Sequence, residues 1–181
     1  AGEIAAGVVT LTYSTDDPAG PCPAGSDSMT VTISSCIGVM VADTTNNRIQ
    51  AFDGVNWTVI GVGTVGTGNG QFRLPEAVTF DEAGRIYVAD TGNNRIQWST
   101  DGGVTWANFA TNGTATNQVK APQGLALDSA GNLYVSDTGN GRVMRFNGGI
   151  PGTGVVIATN GTASGQVTKP MGLAIDATFR L

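Results

Sequence analysis

The chain has no histidine and only two cysteines among 181 residues. No imidazole is on hand as a general base or as a nitrogen ligand for a metal. No cysteine–histidine pair can form, and no Gly-x-Ser-x-Gly elbow occurs. Charge is scarce as well: Asp, Glu, Lys and Arg make up 13%, where soluble domains usually carry about 25%. Nine basic residues against fourteen acidic ones leave a net charge of −5. That balance argues against a nucleic-acid partner, because phosphate binding rests on clustered Lys and Arg. No apolar run approaches the roughly 18 residues of a membrane-spanning helix. No signal peptide is visible, although a mature chain beginning at Ala1 would have lost one.

What is abundant is glycine, at 27 residues, together with a 40% apolar share. The apolar share is too high for a disordered chain, and the turn-rich, weakly charged remainder suits an all-β protein. Cys22 and Cys36 stand fourteen residues apart. A disulfide closing that loop would contribute about 3 kcal/mol; the alternative is one buried thiol and one loop thiol. Few lysines, many Thr, Gly and Asn, and this cysteine pair suggest an extracellular, cell-surface or periplasmic protein. The sequons at Asn56, Asn112 and Asn160 fit that reading.

One stretch recurs three times: Val41 to Gln50, Val88 to Gln97 and Val135 to Met144. Its aspartates stand at 43, 90 and 137, 47 residues apart each time. Such a period marks a solenoid, propeller or array. The clearest unit opens at Pro75. Strands are predicted over Glu76–Asp81, Ile86–Asp90, Arg95–Ser99 and Val104–Ala110, joined by short turns as an antiparallel meander. The next unit repeats the plan over Gln123–Asp128, Leu133–Asp137, Arg142–Phe146 and Gly154–Thr159. In the first unit Met29–Ser34 stands in for the opening strand, with Ser28 where the others have Pro75 and Pro122. Gly7–Tyr13 alternates like a strand, and the register makes it the outer strand of a blade. A fourth unit opens at Pro170 and stops at Leu181.

The pattern P-x-G-[LV]-A-[LVI]-D-x-x-G-x-[IL]-Y-V-[AS]-D-T-G-N-x-R-[IV] resembles the NHL repeat. It is carried by Pro75 to Ile96 and Pro122 to Val143, and in part by Val39 to Ile49 and Pro170 to Asp176. The resemblance implies an all-β fold, a β-propeller of four-stranded antiparallel blades around a channel. The expected organisation is a leading strand and Cys/Pro/Gly loop over 1–27, blades over 28–74, 75–121 and 122–169, and a truncated blade over 170–181. A six-bladed NHL-type ring at this period takes about 280 residues, so either a fragment or copies that cover one another's open blades is expected. A second resemblance is to the Asp-box of sialidase-like propellers, a structural hairpin, carried by Ser99-Thr-Asp-Gly-Gly-Val-Thr-Trp106. Asp101 there accepts turn amides, and Gly102 and Gly103 allow positive φ.

The repeated charges invite two readings. A ring of functional charge is one. The other is structural: Asp43, Asp90 and Asp137 close strand two, can cap the Asn-rich turn, and can pair with Arg48, Arg95 and Arg142 five residues on. Every unit needs that turn, so the structural reading is preferred. Asp81, Asp128 and Asp176 likewise precede turns and read as caps. No resident cofactor is expected; calcium is the one ion these Asp and Asn oxygens would suit, but no D-x-D-x-D-G loop occurs. Function in a repeat is better sought where units differ. The residue after each Pro, or its stand-in, is Met29, Glu76, Gln123 or Met171, and Arg73, Lys120 and Lys169 lie just before the Pro. These residues, the loops 64–74, 112–121 and 160–169, and the Thr-Gly-Asn turns share one face, because strands alternate direction within a blade. The expectation is a non-catalytic extracellular scaffold that binds protein or glycan through that face. The alternatives are a subunit of a homo-oligomeric or filamentous assembly joined through open blade edges, and a lactonase-like metal-dependent enzyme with site residues in further blades. Enzymes resembling this family use histidine, which the chain lacks.

Overall fold

The computed structural model describes residues 7–14, 26–33, 38–81 and 83–176. The expected Cys22–Cys36 disulfide lies outside the described residues. The chain divides into two compact units, Ala1–Gly38 and Val39–Leu181.

In the first unit β1 (Gly7–Ser14) pairs antiparallel with β2 (Ser26–Ile33). The register sets Val9 opposite Val31, Thr10 opposite Thr30, Leu11 opposite Met29 and Thr12 opposite Ser28. Two β-branched stretches of equal length satisfy their backbones locally in this way. These strands were expected as the outer strand of one blade and the inner strand of the next; here they pair with each other, and Met29 stands on β2.

The second unit is built of three propeller blades. The first is a three-stranded sheet of β3 (Val39–Asp43), β4 (Arg48–Phe52) and β5 (Trp57–Ile60). The second runs through β6 (Pro75–Phe80), β7 (Ile86–Asp90), β8 (Arg95–Ser99), β9 (Ala107–Asn112) and a short β10 (Gln118–Val119). The third repeats that order in β11 (Pro122–Leu127), β12 (Leu133–Asp137), β13 (Arg142–Phe146), β14 (Gly154–Asn160) and β15 (Gln166–Val167). Neighbouring strands are antiparallel except the last of each five. β10 and β15 fold back parallel to β9 and β14, an addition that the alternation pattern did not predict. Residues 170–176 form no strand, although they repeat the sequence of β11.

The core lies between blades. Ile49, Phe72, Ile86, Val88 and Trp106 pack together, with Met40, Ala42 and Ile60 against them. Tyr87, Ala89, Ile96, Phe109, Leu133, Val135, Met144 and Phe146 fill the next interface. The middle blade is covered on both faces, so β7 is buried along its whole length. That is why Ile86-Tyr-Val-Ala89 is continuously apolar rather than alternating. Phe109 is the hinge of the aromatic packing, edge-on to Tyr87 at 5.4 Å, Trp98 at 5.7 Å and Phe146 at 4.9 Å. Replacing Phe109 by Ala is expected to cost about 3–5 kcal/mol, read as a lowered denaturant midpoint at unchanged slope. A loss under about 1 kcal/mol would show that the blades do not bury this ring.

Candidate functional site

The repeated stretch folds as strand, 3₁₀ turn, strand. Thr44–Asn46, Thr91–Asn93 and Thr138–Asn140 form the turns, each closed by a left-handed residue: Asn47 (φ 55°), Asn94 (φ 53°) and Gly141 (φ 62°). Asn and Gly are the residues that enter this region most readily, which explains the only types found there.

No backbone N–H of these turns donates to the side chain of the aspartate that precedes it. Its oxygens are taken instead by side chains and by an incoming loop. Asp90, fully buried, accepts from Arg95 Nε at 2.6 Å, from the Asn93 and Gln97 amides, and from the Arg73 backbone N–H at 2.7 Å. Arg95 in turn donates its terminal nitrogens to the carbonyls of Thr67, Gly68 and Gln71. Asp137 and Arg142 repeat this on Lys120 N–H and the carbonyls of Thr114, Ala115 and Gln118. Each pair therefore clamps the loop that enters its own blade. The same stretch also reaches the following blade. The Thr44, Thr91 and Thr138 hydroxyls donate to the carbonyls of Pro75, Pro122 and Pro170. Asn47 and Asn94 accept the N–H groups of Leu74 and Ala121. Leu74 and Ala121 have positive φ, whereas Lys169, which follows the copy that has Gly141 in place of Asn, does not.

The loops are thus ordered from beneath. A glutamine that the motif reading passed over orders them from within: Gln71, Gln118 and Gln166 each accept a backbone N–H three residues back in their own loop. The signal for it was a Gln four residues before each of Pro75, Pro122 and Pro170.

Asp43 and Arg48 pair at 2.8 Å, and the Arg48 and Asn46 contacts hold the Asp43 carboxyl below its usual range against an opposing effect of burial. Among the described residues this pair clamps no loop, and it is correspondingly more exposed, with 37% of the Arg48 side chain accessible against 10% for Arg95.

Above the clamps, the loop face carries the residues expected to differ between units. Glu76 and Gln123 sit where the register of β6–β7 and β11–β12 shifts, at bulges that turn a side chain away from the ladder. Glu76, Arg73, Lys120, Lys169 and Met171 are exposed, and Gln123 is half-buried. Arg73, Lys120 and Lys169 join no ion pair among the described residues. Met29 stands on β2 of the first unit.

The turns at the other strand ends are acidic and internally satisfied. Asp81 accepts from the Arg85 backbone and side chain, and Asp128 from Asn132, Ala130 and Tyr134. Phe80, Asp81, Arg85, Leu127, Asp128 and Ile175 line a cavity of about 460 Å³. In the hairpin from Ser99 to Trp106, Asp101 accepts the Thr105 hydroxyl and backbone N–H, and the Val104 N–H. Led by the Thr105 hydroxyl, these bonds hold Asp101 down at about 2. Among the described residues no three His, Cys, Asp or Glu side chains are grouped to hold a metal ion, and no helix is long and apolar enough to cross a membrane.

The family model described as NHL repeat matches residues 72–98 and 121–146. These segments span the entry loop, clamp and turn of the second blade and of the third. No curated protein matches the chain. Among solved structures, the nidogen/laminin complex contains a chain of similar fold, with a TM-score of 0.55 and 22% identity over 74% of this chain and 46% of that one. A streptogramin B lyase structure is similar with a TM-score of 0.47 and 14% identity, over 65% of this chain and 35% of that one. The chain therefore spans less than half the length of either, and the first likeness is one of fold alone: blades of a β-propeller.

Two outcomes follow from the clamp and the hairpin. Asp90→Ala leaves the Arg95 cation buried without its partner and is expected to cost about 3–5 kcal/mol, while Asp43→Ala costs less because water reaches that pair; equal losses would show that loop clamping is not what the aspartates do. Asp101 titrates lower in the folded hairpin than its ordinary 3.8, so its contribution is present above about pH 4 and is lost as pH falls towards about 2. Asp101→Asn should flatten the acid-unfolding profile in that window, measured by fluorescence.

Proposed function

We propose that this NHL-repeat propeller is a non-catalytic binding or scaffolding module, working outside the cytoplasm, that contacts a protein or glycan of acidic character through its loop face. The observation that carries the reading is the division of labour among the cations. Arg48, Arg85, Arg95 and Arg142 are each paired with an aspartate. Arg73, Lys120 and Lys169 are exposed just before Pro75, Pro122 and Pro170. The backbones of Arg73 and Lys120 are held by Asp90 and Asp137, so little ordering remains to be done on binding. On a chain with net charge −5, three cations against the one carboxylate of Glu76 would make this face locally positive.

Heparin and polyglutamate columns test this. The protein should be retained at low salt on at least one of them and released as salt rises. The matrix that retains it distinguishes glycan from acidic protein. Combined Arg73→Glu, Lys120→Glu and Lys169→Glu should abolish retention with an unchanged unfolding midpoint. Absence of retention at low salt, or retention indifferent to these substitutions, would overturn the reading.

A further inference from the structure

We propose that Gly92 and Gly139 are positioning residues for recognition at the loop face: the missing side chain at each is what lays down Arg73 or Lys120 in a fixed direction. The role rests on the proposed recognition of an acidic partner by these cations.

Space, not backbone freedom, is what the two glycines supply. Neither has a positive φ, so alanine could follow the same backbone. A Cβ at Gly92 would nonetheless stand 2.8 Å from the Arg73 carbonyl oxygen and 2.8 Å from the Arg73 Cγ. At Gly139 the corresponding distances to Lys120 are 2.7 and 2.8 Å. Contacts that short are repulsive. The carbonyl is main chain and is tied down: the Gly92 N–H donates to Arg73 O at 2.9 Å, and the Gly139 N–H to Lys120 O at 2.8 Å. A side chain on the turn therefore has to displace the loop or break that bond.

The cationic residue is fixed from both sides. Asp90 and Asp137 accept its N–H, at 2.7 Å in each case, and the glycine takes its carbonyl. The residue after it, Leu74 or Ala121, is left-handed at φ 45° or 43°. That conformation is costly for a residue with a Cβ, and a following Pro restricts it further. It is held by Asn47 and Asn94, which accept the Leu74 and Ala121 N–H groups at 2.8 and 2.9 Å. Strain is kept beside an exposed cation, and hydrogen bonds from the Asp, the Gly and the Asn maintain it. The direction of that residue is thus something the fold specifies.

The stem of the side chain is set down with the backbone. The Cγ of Arg73 and of Lys120 lies over the turn glycine, while each residue as a whole stays exposed. Long cationic side chains lose rotamer freedom when they bind. A stem already laid across a turn has lost part of it before the partner arrives, and the head group stays in water to meet an anion.

Gly92→Ala, Arg73→Gln and the double variant, run on the heparin and polyglutamate columns, form the test. Gly92→Ala is expected to elute at lower salt than the unchanged protein from whichever column retains it. In the Arg73→Gln background the same substitution is expected to leave elution where it was, because the residue it positions is no longer a cation. A structural role alone would give the same shift in both backgrounds. Trypsin reads the loop without any ligand: cutting after Arg73 should be faster in Gly92→Ala, and cutting after Lys120 unchanged. Gly139→Ala with Lys120→Gln repeats the cycle on the third blade and decides the matter if a variant of the second does not fold. Elution of both alanine variants at the salt of the unchanged protein, or a shift that persists without the cation, would overturn the positioning role and leave the proposed function standing. Retention of the unchanged protein on neither column would overturn both.

Discussion

The buried pairing of Asp90 with Arg95, repeated by Asp137 with Arg142, is the constraint on which the rest of the second unit depends. Two charges removed from water are costly unless every remaining donor and acceptor is used. Here the carboxylate takes a loop N–H and the guanidinium takes three loop carbonyls. The demand of the pair for hydrogen bonds is therefore what orders the loop, and the ordered loop fixes where the next inner strand begins. The Thr hydroxyl and the Asn side chain of the same short stretch carry the link onward to the following Pro. A single motif thus joins three things: the turn of its own blade, the loop that enters that blade, and the head of the next.

This arrangement separates structure from recognition. The conserved-looking charges of the repeat are consumed below the loop face, and so are the aspartates at the opposite turns. On the proposed reading, what remains for a partner is whatever projects from the clamped loop: Arg73 and Lys120 beside their Pro, and Glu76 and Gln123 at the bulges. A clamped loop with a variable tip costs little ordering entropy on binding, which is what the proposed scaffold would need.

Small departures among the copies mark where the repeat stops being uniform. Gly141 replaces Asn at the left-handed position, keeping the turn but losing the acceptor that Ala121 and Leu74 find in Asn94 and Asn47. Thr45 replaces Gly at the point where a loop carbonyl approaches most closely. Arg145 occupies the place of Trp98, and its Nε is buried with no hydrogen-bond partner, on the side of the third blade that faces away from the second.

The amino-acid sequence by itself determined the period, the order of the four antiparallel strands of the second and third blades, and the five-residue spacing of each Asp and Arg. These are local: they follow from alternation and from the reach of a side chain within one hairpin. It also singled out the residues around each Pro, because there alone the frame is constant while the side chain changes. What only the tertiary structure decided is non-local. That Arg95 grips a loop 24 to 28 residues earlier depends on one blade standing against the next, and no spacing within a unit encodes it.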